Sequence, residues 1–164
     1  MSKPSAVSRR DVLANGKTRT SPQVFTIGYA TRTPGDLIDR VLAFGGSAII
    51  DVRELPLSRR RGFSKNALAG AATAAGLGYE HVRALGNPKP SRDLYKAGRV
   101  RAGVSAYRKH LNNGSRSALL ALAERLKRER LCLLCLEDDP EECHRSVIVS
   151  ALRSEVPGLA VTHL

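Results

Sequence analysis

The sequence predicts one α/β domain over residues 22–164: a three-layer open sheet, mostly parallel and Rossmann-like. Three observations carry that reading. Apolar runs of strand length alternate with stretches of helical spacing through the whole span, the pattern of a parallel sheet covered by helices on both faces. The run Leu131-Cys132-Leu133-Leu134-Cys135-Leu136 has no polar residue, as expected of a strand buried on both sides. And 164 residues, 42% of them hydrophobic, are enough for one full core.

Each element has its own signal. Val24 to Tyr29 reads as a short strand passing through Gly28. Thr33-Pro34-Gly35-Asp36 starts a helix, with a capping threonine, a proline at the first helical position and an acid at the positive dipole end. Leu37, Ile38, Val41 and Leu42 give it one apolar face, and Gly45-Gly46 stops it. Ala48 to Arg53 is the second strand, so strand, helix and strand form a βαβ unit and imply a parallel pair. Ser64 caps a small-residue helix through Ala75, and Gly78 to Val82 is a third strand. Ser91 to Leu111 is helical, broken at Gly98 and Gly103, with a turn at Asn112-Asn113-Gly114. Ser117 opens a helix through Arg130. After the apolar strand, Asp138-Asp139-Pro140 makes the turn. Val147, Ile148, Ala151 and Leu152 then space a helix that opens on Cys143-His144-Arg145-Ser146, and Leu159 to His163 is a last strand.

Charge narrows the partners. Lys and Arg number 27 against 15 Asp and Glu, a net charge of +12, which points to nucleic acid or a phosphorylated small molecule. Residues 1–21 carry Lys3, Arg9, Arg10, Lys17 and Arg19 against Asp11, without periodicity, and read as a flexible basic arm. Four tyrosines, three phenylalanines and no tryptophan are poor equipment for a broad base-stacking platform. No apolar run is long enough for a membrane span, and no secretory leader is visible. Three cysteines, an odd number, suit a reducing cytoplasmic compartment.

In a parallel sheet, ligands bind beyond the carboxyl ends of the strands. That rule gathers Tyr29 from the first strand and Asp51, Arg53, Ser58 and Arg59 from the second and its loop. It adds Arg83 after the third, and Glu137, Cys143, His144 and Arg145 after the apolar strand. Cys143, Glu137 and Asp51 are the candidate catalytic residues. Tyr29, Arg53, Ser58, Arg59, Arg83, His144 and Arg145 are the candidate substrate contacts. A thiol at a helix start beside an arginine tends towards a lowered pKa. Asp51 is expected to accept from Arg145 or from the Ser58 region, and Arg59-Arg60-Arg61 with Lys65 to grip phosphates. Cys132-x-x-Cys135 has metal spacing, but residues three apart on a strand face opposite ways. Only Cys135 then faces Cys143; a set of Cys135, Cys143, His144 and Glu137 is conceivable, yet a second cysteine pair is missing. The expectation is therefore no metal and no cofactor.

These residues carry a resemblance. Thr26-Ile27-Gly28-Tyr29, Asp51-Val52-Arg53 with Pro56 and Ser58, Gly62-Phe63-Ser64, Tyr79 to His81 with Leu85-Gly86, and Cys135-Leu136-Glu137 with Cys143-His144-Arg145-Ser146 resemble the domain of unknown function 488 family. The likeness spans roughly Val24 to Leu152, and Cys-His-Arg-Ser is its most specific part. It implies one compact α/β domain with an important strand-end rim, and little about chemistry.

Three functions compete, and the sequence favours the first. The first is an enzyme acting on a nucleotide or nucleic-acid substrate held at the strand ends. The second is a cysteine-dependent sulfurtransferase-like or redox enzyme with Cys143 as carrier. Asp51-Val52-Arg53-Glu54 resembles a rhodanese strand, but the Gly-His-Ile segment expected after it is absent, and so is a Cys-x5-Arg loop. The third is a non-catalytic DNA- or RNA-binding module, without a helix-turn-helix or zinc-finger signature.

Overall fold

In a computed structural model, which describes residues 21–164, five strands form a wholly parallel sheet. The basic arm lies outside the described residues but for Ser21. Strands β1 (Gln23–Gly28), β2 (Ala48–Asp51), β3 (Gly78–His81), β4 (Leu131–Cys135) and β5 (Ala160–His163) lie in the order β3-β2-β4-β1-β5. The βαβ reading placed β1 and β2 side by side. Instead β4 lies between them, pairing Gly28 with Cys135 and Asp51 with Leu134. The physical reason is composition: β4 is the strand with no polar residue, and all five of its residues are buried, so it takes the centre of the sheet.

Helices cover both faces. On one face α1 (Pro34–Ala43) and α2 (Lys65–Ala74) bury Leu37, Ile38, Val41, Leu68 and Ala72 against Phe25, Ile27, Ile49, Cys132 and Leu134. On the other, α4 (Val100–Asn113), α5 (Arg116–Leu126) and α6 (Arg145–Glu155) pack Tyr107, Leu122 and Ile148 against Val24, Ile50, Leu131, Leu133 and Cys135. Helix α3 (Lys89–Lys96) lies on α4. The alternation along β4 puts Cys132 in one core and Cys135 in the other, as their three-residue spacing requires.

Local chemistry sets the boundaries. Thr33 and Asp36 form a reciprocal capping box at the start of α1, where the sequence places a cap. Ser64 occupies the equivalent position for α2 but makes no side-chain cap bond. Leu42 and Leu136, expected inside, are exposed. Helix α5 begins at Arg116 with Ser115 at its cap position and ends at Leu126, shorter than the periodicity suggested. Gly98, at φ +70°, does break the chain between α3 and α4. Gly103 does not: it is helical and buried within α4. A Cβ there would come 2.7 Å from the Tyr95 ring, so this glycine serves packing and not a turn.

Candidate active site

The carboxyl ends of the strands share one edge of the sheet, and polar side chains gather there as the sequence suggests. The sheet, however, divides them into two clusters, one on each face.

On the α1/α2 face the cluster is closed. Asp51 is fully buried and Arg53 is 5% exposed. Arg53 donates from Nε to Asp51 Oδ1 at 2.8 Å and from Nη2 to Asp51 Oδ2 at 2.5 Å. Its Nη1 donates to the Tyr29 hydroxyl and to the Phe63 carbonyl. Tyr79 adds a hydrogen bond to Asp51 Oδ2 at 2.5 Å. Tyr29 is buried, stacked on Phe63 at a ring separation of 4.4 Å. Burial works against the Arg53 charge, but the bonds and charge of Asp51 outweigh it and raise the guanidinium pKa. Burial and the bond to Asp51 also raise that of the Tyr79 phenol. Asp51 thus takes its bonds from Arg53 and Tyr79, and not from Arg145 or the Ser58 region. Arg60 folds back to donate to the carbonyls of Tyr29 and Arg32. Ser58 accepts from the Arg60 amide. Arg59 and Arg83 are exposed, and neither lines the cleft on the other face.

On the α4–α6 face the cluster opens into that cleft. The segment after β4 is clamped by the end of β1: Tyr29 N donates to the Leu136 carbonyl at 3.1 Å, and Ala30 N to the same oxygen at 3.0 Å. Gly28 permits the approach, since a Cβ there would overlap the Glu137 carbonyl. A short 3-10 turn (Pro140–Glu142), started by the Asp139 carboxylate accepting from Glu141 N, returns the chain to the sheet. It delivers Cys143 and His144 at the start of α6. His144 Nε2 donates to the Val52 carbonyl at 2.9 Å, which leaves Nδ1 facing sulfur. Nδ1 lies 3.6 Å from Cys143 Sγ and 4.0 Å from Cys135 Sγ. The edge of Tyr107 packs on the His144 ring, with its hydroxyl fixed by the Leu85 carbonyl. Arg145 donates from Nε to Cys143 Sγ at 3.2 Å and from Nη2 to the Glu137 backbone carbonyl.

Electrostatics makes these groups unequal. Arg145 is 1% exposed, and among the described residues no carboxylate bridges it. The negative partner in contact with it is Cys143. Burial alone pushes the Cys143 thiol up. The bond from Cys135 and the charges of His144 and Arg145 more than reverse this, holding it well below the usual thiol range. Cys135, which shares its hydrogen bond with Cys143 and is buried, is pushed well above that range. His144 is penalised by burial, yet the Cys143 charge raises it. Burial and the same charge raise Glu137. These shifts run in one direction: they favour the anionic form of Cys143 and the neutral form of Cys135, and the Cys143 charge favours the cationic form of His144. The amides of the first turn of α6 contribute little, because Ser146 N is taken by the Cys143 carbonyl and Val147 N and Ile148 N by that of His144. Side chains, more than the helix start, make this site.

Cys135 Sγ, Cys143 Sγ and His144 Nδ1 lie within 4.8 Å of one another and could hold a soft divalent ion, where the sequence predicts none. Arg145 Nε already places a cation against Cys143 Sγ, which opposes a second one.

The cleft beyond Cys143 and His144 has a volume of about 250 Å³ and is walled by Glu137, Glu142, Asn87, Arg92, Tyr95 and Lys96. The sequence reading named Glu137 but missed Asn87 and Tyr95. Asn87 follows β3 in the strand-end loop, the available signal for it. Tyr95 lies on a helix that had been read only for its periodicity.

Residues 35–152 match the family model described as "Domain of unknown function DUF488". The Thr26-Ile27-Gly28-Tyr29 part of the likeness falls before the matched residues. No curated protein and no solved structure matches the chain.

Proposed function

The chain belongs to the DUF488 family, and on that premise we propose that it is a cysteine-dependent enzyme. Cys143 is its nucleophile, acting on a small electrophilic substrate in the cleft. The observation that supports this best is the buried Arg145 guanidinium, which meets Cys143 Sγ at 3.2 Å with no carboxylate bridging it among the described residues. A buried cation without an anion is costly, and a Cys143 thiolate supplies that anion.

The roles follow from position. Cys143 Sγ attacks, forming a bond from sulfur to the substrate while the leaving group departs with the electron pair. His144 Nδ1, 3.6 Å from that sulfur, gives the leaving group its proton. Cys135 steadies the thiolate as a hydrogen-bond donor, and Tyr107 and Val52 hold the imidazole. A sulfurtransferase-like reaction, or thiol–disulfide exchange in which a substrate disulfide is the oxidant and leaves as a thiol, suits a thiolate with a neutral thiol close by.

Iodoacetamide labelling read by peptide mass spectrometry tests the reading. Cys143 is expected to label at neutral pH at least tenfold faster than Cys132, whose thiol burial pushes up to about 12. With thiosulfate or an organic persulfide as sulfur donor, a persulfide mass is expected on Cys143 and is lost in Cys143→Ser. Equal, slow labelling of all three cysteines with no persulfide would overturn it.

A further inference from the structure

Among the described residues, four buried side-chain polar atoms lack a hydrogen-bond partner: Arg32 Nε, Asn87 Oδ1, Tyr95 OH and Glu137 Oε2. Three of the four belong to residues that wall the one cleft containing Cys143 and His144. Each such atom has lost its hydration without gaining a bond, so three in one place call for a partner from outside the chain. From this juxtaposition we infer that the cleft is a nucleotide site, with the base against Asn87, Tyr95 and Glu137 and the phosphate at the turn between α3 and α4. The inference rests on reading this cleft as the active site and names its substrate class.

The three residues are anchored in advance. Asn87 is 7% exposed, and its backbone carbonyl accepts from Arg92 Nη1 at 3.0 Å, while Arg92 is itself bridged to Glu54. The Tyr95 ring packs against Gly103 of α4, where any Cβ would collide with it. Glu137 is fixed through its backbone by Arg145. Preorganised, unpartnered groups of this kind are what a specific ligand completes.

Their chemistry selects the ligand. Asn87 Oδ1 and Glu137 Oε2 are acceptors awaiting N–H or O–H donors, and the Tyr95 hydroxyl takes either role. A bare inorganic anion offers acceptors and cannot complete the set. The edge of a nucleobase offers N–H donors beside acceptors. At about 250 Å³ the cleft takes a nucleobase, below the range that encloses a whole drug-sized ligand, and leaves the sugar and phosphate at its mouth.

Charge supplies the other end. Lys96 lines the cleft, and Arg99 and Arg101 line a shallow depression that shares Gly98 and Val100 with it. None of the three is in a salt bridge among the described residues. The acid Glu142 also lines the cleft, so a phosphate is drawn towards the basic turn.

The test is calorimetric titration of the full chain with the four nucleoside monophosphates, the matching nucleosides, inorganic phosphate and a short single-stranded oligonucleotide. At least one monophosphate is expected to bind, with affinity falling at least fivefold in Asn87→Ala, and Lys96→Ala is expected to weaken the monophosphate but not its nucleoside. Thermal unfolding checks that both variants fold. Oligonucleotide binding that shares the Asn87 dependence extends the site to one residue of a nucleic acid. Binding insensitive to Asn87→Ala, phosphate competing as well as the nucleotide, or no binding overturns the inference. Cys143→Ser separates the two proposals: it abolishes sulfur chemistry whichever ligand the cleft takes, and nucleotide binding that survives it stands without thiol catalysis.

Discussion

Two clusters of buried charge sit at the same edge of the sheet, one on each face, and they differ in how far they are satisfied. Around Arg53 every guanidinium nitrogen has an acceptor within the chain, and Asp51 meets it with both carboxylate oxygens. Around Arg145 the partners are a sulfur and a backbone carbonyl, and three polar side-chain atoms in the adjoining cleft have no partner. The first arrangement is complete without a ligand and reads as structure. The second is complete only with a thiolate and a guest, and reads as function. Burial does not separate them, since Arg53 and Arg145 are both almost wholly enclosed; satisfaction does.

The largest effect falls on the closed side. Asp51→Ala leaves Arg53 buried without its carboxylate and is expected to remove about 3–5 kcal/mol of unfolding free energy, read by urea denaturation. A loss under 1 kcal/mol would erase the contrast. On the open side, Arg145→Met removes a buried charge whose partner can simply take up a proton, so stability changes little. The reactivity of Cys143 at pH 7 is expected to fall, because one of the charges that lowers its pKa is gone while burial still raises it, measured by alkylation rate.

A matched pair sharpens the comparison at smaller scale. Tyr79→Phe deletes the hydroxyl that donates to Asp51 Oδ2 at 2.5 Å and is expected to cost about 1.5–3 kcal/mol. Tyr95→Phe deletes a hydroxyl with no partner, so the ligand-free protein is expected to be unchanged or more stable by up to about 1 kcal/mol. Parallel denaturation curves decide between equal and opposite behaviour.

The smallest effect is on pH dependence. The Cys143 pKa is lowered in the fold, so its contribution to stability is full above the unfolded thiol value. It is lost as pH falls through the folded one. The His144 pKa is raised, so its contribution is full below about 6.5 and lost as pH rises through the folded value. Between about pH 6.5 and the folded His144 value the two slopes cancel. Relative to a Cys143→Ser/His144→Gln variant, stability is expected to rise with pH on the acid side and then run flat through neutrality.

Much of this was legible in the sequence because it depends on local patterns. The apolar run of β4 marked a strand buried on both faces, though not its place between β1 and β2, and its period of two separated Cys132 from Cys135. Thr33 and Asp36 announced the start of α1, and the strand-end rule brought Glu137 together with Cys143, His144 and Arg145. What escaped depends on the third dimension. In sequence Asp51 reads as a candidate catalyst and Arg53 as a substrate contact, and only the fold shows that they pair with each other and are closed in by Tyr79 and Phe63. Gly103 looked like a break because its reason, the Tyr95 ring eight residues earlier, lies across a helix–helix contact. Asn87 is unremarkable in sequence, since a missing partner is not a property of the residue that lacks it.

The most direct measurement is the rate of Cys143 alkylation from pH 5 to 10, resolved from Cys132 and Cys135 by mass spectrometry. A thiolate held by Arg145 and His144 predicts a rate already on its plateau at pH 7 and falling only in acid. In Arg145→Met the rise is expected to move to higher pH. A rate that climbs tenfold per pH unit through neutrality and levels near pH 8.5–9, as for an ordinary thiol, would contradict the account.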